Sequence, residues 1–155
     1  MIKINVITNN ISWKRYIKNP NNYLSRKINK LNFKNKEFIK NKIFCTLLLS
    51  GNKEIKYLNN KFRKKNKSTD VLSFPFQTRK ELNKKLKLEK DLYLGDIIIN
   101  LNKIKNKNSQ KNFRFEFDRL WIHGLVHLLG HDHRSDKDFL KMQRIEKKYF
   151  NLVNV

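Results

Sequence analysis

A single cysteine, Cys45, leaves the chain without an intramolecular disulfide and suits a reducing compartment. It falls in the apolar run Ile43-Phe44-Cys45-Thr46-Leu47-Leu48-Leu49, where a buried, inert thiol is expected. No stretch approaches the ~20 consecutive apolar residues that a membrane span requires. Met1 to Ile7 alternates apolar and polar side chains, where a secretory leader would present an apolar block. The expectation is a cytoplasmic protein with no membrane contact. Acidic residues are scarce: 13 Asp and Glu stand against 36 Lys and Arg, for a net charge of +23. That balance excludes an acidic partner mimic and makes polyanions the partners to test. Lys and Asn are enriched along the whole chain, as in Asn19-Pro20-Asn21-Asn22, so a compositional bias of the source genome is an equal reading of the charge.

What is present is enough for a core. The hydrophobic fraction is 39% and the aromatic fraction 12%, with eleven Phe, which excludes a disordered polyelectrolyte. At 155 residues with no internal repeat, residues 1–155 are read as one domain. Residues 2–7 alternate as a strand, and Leu24, Ile28 and Leu31 recur at helical spacing. The run 43–49 is a buried-strand candidate, closed by a turn at Gly51-Asn52. Ile55, Leu58 and Phe62 mark an amphipathic helix, followed by the basic loop 64–68. Residues 71–76 are strand-like but carry Pro75, so the strand should lie at an edge or end there. The charged segment 77–92 reads as a solvated loop or short helix, and 94–99 as a second buried strand. The basic stretch up to Asn112 reads as exposed and partly helical. Phe117, Leu120, Trp121, Gly124, Leu125 and Leu128 form a helical stripe that Gly130 terminates. Ser135 to Asp138 resembles a capping box opening a last helix, with Phe139, Met142, Ile145 and Tyr149 inward. The expected architecture is α/β (α+β): a single domain with a small mixed sheet packed by helices.

All four histidines fall in one segment, His123-Gly124-Leu125-Val126-His127-Leu128-Leu129-Gly130-His131-Asp132-His133. His123 and His127, four apart, project from one face of the helix. Gly130 lets the chain turn back so that His133 closes on the first two. Three imidazoles leave a fourth tetrahedral position open, the pattern of a catalytic zinc site. His131 is the spare, and Asp132 is read either as orienting a ligand imidazole or as an ordinary turn residue. The spacing also matches the long zinc-protease signature, but that signature needs a carboxylate after the first His, and here Gly124 occupies the position. The metal site survives that comparison and the protease reading does not.

The same segment resembles the YbeY family of zinc-dependent endoribonucleases, or rRNA maturation factors, through the pattern H-G-x-[LV]-H-L-x-G-[YH]-D-H. Leu58-Asn59, Phe62-Arg63, Thr69-Asp70-Val71-Leu72-Ser73-Phe74-Pro75 and Leu94-Gly95-Asp96-Ile97 match in order and spacing, so the resemblance covers essentially the whole chain. It implies one zinc per chain held by His123, His127 and His133, with Arg63 as the functional arginine. It also implies action on single-stranded RNA, in ribosomal RNA precursors, with the small ribosomal subunit and its assembly factors as partners. Many relatives carry Asp and Pro where this chain has Asn66 and Ser68, which implies a looser loop after Arg63. Three neutral imidazoles leave a zinc its full double charge, suited to an anionic phosphodiester. Arg63 offers a planar fork for a phosphate oxygen, and the lysines of 64–67 attract RNA backbone without reading sequence. Asp96 either organises its strand or assists in the cleft. Two competing functions remain at this point: a metal hydrolase of another bond, and a non-enzymatic assembly factor in which zinc staples the fold.

Overall fold

Parallel strands cannot be joined by tight hairpins and need crossovers, usually helical, and the helical periodicities fall where such crossovers are required. The computed structural model describes all 155 residues, Met1 to Val155. Strands β1 (Ile2–Thr8), β2 (Lys42–Ser50), β3 (Val71–Pro75) and β4 (Asp91–Asn100) alternate with helices α1 (Pro20–Lys34), α2 (Asn52–Arg63) and α3 (Arg79–Leu88). Helices α4 (Gln110–Leu128) and α5 (Asp136–Asn154) complete the chain, with short 3-10 turns at Ile11–Arg15 and Leu101–Lys103. The sheet order is β1-β2-β4-β3. β2 runs parallel to β1 and β4, while β3 pairs antiparallel to β4 and forms one edge. The sheet is therefore mixed, as expected, and Pro75 ends the edge strand.

One face of the sheet carries most of the core. Ile43, Cys45, Leu47 and Leu49 of β2 and Ile97 and Ile99 of β4 share one buried cluster with Phe113, Phe117, Trp121, Leu125 and Leu128 of α4. Trp13 packs edge-on against Phe113 and Phe117 at 6.0 and 5.6 Å, and its indole N–H donates to the Ser50 carbonyl at 2.9 Å. One charge is buried within this layer. Asp118 accepts from the Tyr23 hydroxyl (3.0 Å) and the Trp121 indole (2.9 Å), and Lys27 Nζ stands 2.9 Å from its second oxygen. That arrangement pairs the buried charge with Lys27 while tying α1 to α4. On the opposite face α2 alone packs, placing Ile55 on Leu72 and Ile98. No helix is long and apolar enough to cross a membrane.

Several local expectations differ from the structure. In segment 77–92 the short-helix alternative holds, with Thr78 and Glu81 forming a full capping box for α3, but β4 already begins at Asp91. Helix α4 starts at Gln110 because the Ser109 hydroxyl caps the Asn112 N–H, and Leu101 and Ile104 before it are buried. Their basic neighbours mask this apolar content in sequence. At Ser135 only half a capping box forms: its hydroxyl accepts from the Asp138 N–H but donates to the Asp138 carboxylate. Phe139 is half exposed, because the first turn of α5 projects beyond the core that holds Met142 and Tyr149.

Candidate metal centre

Helix α4 sets His123 and His127 one turn apart, and the two glycines of the motif do different work. Gly124 faces the sheet: a Cβ there would lie 2.6 Å from Ile97 Cγ2, so only glycine lets α4 rest this closely on β4. The same contact explains why no carboxylate can follow His123, since that side chain would have to enter the sheet. Gly130 takes φ +88°, a left-handed conformation that suits glycine. It ends the helix with a bond from its N–H to the His127 carbonyl, 2.9 Å. The chain then reverses and returns His133.

The three imidazoles converge. One nitrogen of each of His123, His127 and His133 lies within 4.8 Å of the others, close enough to hold one metal ion. The outer nitrogens are held. His123 Nδ1 stands 2.7 Å from Glu146 Oε1 on α5, and His127 Nδ1 stands 3.0 Å from the His131 carbonyl. With Nδ1 of each ring turned to its acceptor, the two Nε2 atoms face each other at 3.1 Å. The two Nε2 atoms thus point at one position beside His133, where a metal ion can be held. Burial, then the neighbouring His123, lowers the His127 pKa to about 4, so this imidazole is neutral, as a ligand must be. The donor set therefore fits a zinc ion. His133 is exposed, which leaves one side of the cluster open to solvent.

The remaining candidates separate. The His131 imidazole turns away into a pocket lined by Glu37, Arg79 and Lys141, and its contribution here is the main-chain carbonyl. Asp132 accepts from the His133 N–H and pairs with Arg134 at 2.8 Å each, the contacts of a turn residue. Asp96 lies on the sheet face opposite Ile97 and α4, where it accepts from the Tyr93 hydroxyl at 2.5 Å. Arg63 ends α2; its Nη2 donates to the Ser73 carbonyl at 2.7 Å and its guanidinium lies 5.5 Å from the Phe74 ring centre. Ser73 pairs with Ile97, which rests on Gly124, so Arg63 and the histidine helix meet the same stretch of β3 and β4. Arg63 makes no hydrogen bond to any of the histidines. Sequence reasoning missed Glu146. Its one signal is position: four residues after Met142 and three before Tyr149, it is an acid beside the inward stripe of a Lys-rich helix.

The profile of the family described as endoribonuclease YbeY matches residues 7–154. A protein of Pelagibacter ubique named endoribonuclease YbeY is 44% identical over 156 residues, covering 99% of this chain and 97% of its own length. One of the same name from Ehrlichia canis is 33% identical, covering 100% of this chain and 94% of its own. The solution structure of a Thermotoga maritima protein superposes with a TM-score of 0.61 at 28% identity, over 97% of this chain and 89% of that one.

Proposed function

The chain belongs to the endoribonuclease YbeY family, and from that membership and the histidine cluster we propose that it is a zinc-dependent endoribonuclease acting on single-stranded RNA. Its substrates in this reading are ribosomal RNA precursors, including the 3′ end of 16S rRNA, within maturation and quality control of the small subunit. Cytoplasmic location and contact with the small ribosomal subunit and its assembly factors belong to the same proposal. One observation carries it: the facing Nε2 atoms of His123 and His127, with His133 beside them and both outer nitrogens held.

In this proposal His123, His127 and His133 hold one zinc, which supplies Lewis acidity toward a phosphoryl oxygen and promotes ionisation of a water. The work of the chain is positional. Glu146 and the His131 carbonyl fix both helical imidazoles in the ligating tautomer. Gly124 sets the height of the helix above the sheet. The exposed side at His133 admits a phosphodiester. Arg63 is the catalytic candidate. One of its five N–H groups is committed to Ser73 and the others remain for a phosphate oxygen. The bond to Ser73 and the Phe74 ring behind it hold the fork in place.

Metal analysis combined with cleavage of single-stranded RNA, on wild type and His127→Ala, tests this reading. The expected result is about one zinc per chain and cleavage in the wild type, with both lost in the variant. RNA cleavage that persists at full rate in zinc-free His127→Ala would overturn it. Zinc without any cleavage would leave a metal-stapled assembly factor, and peptide cleavage without RNA cleavage a hydrolase of another bond.

A further inference from the structure

An antiparallel or mixed sheet with one uncovered face normally shows polar side chains there. The face of this sheet away from α4 is different. Helix α2 covers it only around Leu72 and Ile98, and beyond α2 it is bare and aromatic. Phe44 is 36% exposed, Tyr93 38% and Phe76 70%. The strand register lines these residues up, pairing Lys3 with Phe44 and Phe44 with Tyr93, while the Phe76 ring stands 6.1 Å from Tyr93 at 70°. A groove of about 420 Å³ adjoins the row, floored by Leu48 and Ile98 and walled by Phe62 and Phe74. We propose that this open, aromatic face of the sheet is a stacking platform for the bases of single-stranded RNA, leading the strand toward Arg63. The inference rests on the RNA reading above and assigns that substrate a binding surface.

Charge complementarity selects RNA as the occupant. Lys3 and Lys42 are exposed beside Phe44, and Lys61 Nζ lies 5.3 Å from the ring centre of Phe62. Cations at the border with rings inside match phosphates outside and bases within. Carboxylates occupy the interior instead. Asp96 and Glu54 line the groove, which repels a phosphate there, while the Asp96 Oδ2 oxygen makes no bond within the chain and can accept from a base amine. Asp91, paired with Lys42 across the strands, is the one further acid at this border. The row runs on to Arg63, since Phe74 packs on Phe62 at 5.5 Å and carries the Arg63 guanidinium on its ring.

The test is binding of a labelled, short single-stranded RNA with 2′-O-methyl groups, followed by anisotropy, alongside cleavage of the unmodified RNA. The triple variant Phe44→Ala, Tyr93→Ala, Phe76→Ala removes three rings whose exposure spares the core. Each lost stacking contact is expected to weaken binding on the order of 5- to 100-fold, raising KM with turnover at saturation kept. Phe44→Tyr with Phe76→Tyr keeps the rings and should bind like wild type. Leu at all three positions keeps apolar area without a π-face and should bind like the Ala variant. Unchanged binding by the Ala variant, in a wild type that cleaves RNA, overturns the platform and leaves the nuclease reading standing. Ring-dependent binding in a wild type that cleaves nothing supports the platform and sinks the nuclease reading. Full binding by the Leu variant, or loss of self-association in place of RNA affinity, overturns the platform in favour of a protein-docking face.

Discussion

Replacing Gly124 by alanine puts one methyl group where the structure has no room. The new Cβ would lie 2.6 Å from Ile97 Cγ2, 3.1 Å from Cγ1 and 3.2 Å from Cδ1. All three atoms belong to a fully buried side chain, so no flexible tip can swing into solvent. Two terms oppose each other. Alanine in place of a mid-helix glycine favours the helix by about 1 kcal/mol. Overpacking a filled core costs ~1–3 kcal/mol, and a contact far inside the ~3.5–4.0 Å optimum belongs at the upper end. The net expectation is a loss of about 1–2 kcal/mol, or a Tm lower by roughly 2–8 °C for a chain of this size. Urea and thermal unfolding measure it. A second consequence follows from position: relief of the clash lifts α4 off β4 and moves the imidazoles on either side of residue 124, so zinc affinity in a chelator competition should fall ~10-fold. Gly124→Ala with Ile97→Ala closes the argument as a cycle, because the added methyl then fills part of the Ile97 cavity. The pair should cost at least ~1 kcal/mol less than the sum of the singles. An alanine variant as stable as wild type, with additive effects in the cycle, would refute the view that glycine sets the helix height.

Other outcomes are expected from the same structure. Glu146→Gln removes the charge behind His123 and should lower zinc affinity ~10–100-fold by chelator competition, whereas His131→Ala keeps its carbonyl and should retain the metal. Arg63→Ala should reduce cleavage ~10²–10³-fold with zinc content intact; Arg63→Lys loses the planar fork and should stay impaired, and a fully active Lys variant would reduce the residue's role to charge alone. Asp118→Ala leaves Lys27 half-buried without its partner and the Tyr23 and Trp121 donors unmet, so denaturant unfolding should show a loss of about 3–5 kcal/mol. Burial pushes the Cys45 thiol up to about 12, so a thiol reagent at pH 8 should label it only at the rate of unfolding.

The order of elements and the histidine cluster were legible in the chain because both depend on local periodicity. Alternation marked β1, a short continuous apolar run marked β2, the three-and-four spacing marked α2 and α4, and the i, i+4 pair with a glycine bend marked His123, His127 and His133. Where lysine and asparagine dominate, that signal faded: α3 and the start of α4 were set by the side-chain caps Thr78 and Ser109 and by a few buried residues such as Leu82 and Phe113. Other features depend on contacts between distant segments. Glu146 reaches His123 across 23 residues, Arg63 meets Ser73 through the edge of β3, and Phe44 and Tyr93 share a row only through the register of β2 and β4. Local sequence carries the preferences of a turn of helix or a strand, while which carboxylate faces which imidazole is settled by how layers pack. At position 124 the two levels meet: the chain states a glycine, and the approach of Ile97 to within 2.6 Å of its missing Cβ is the reason any side chain there is costly.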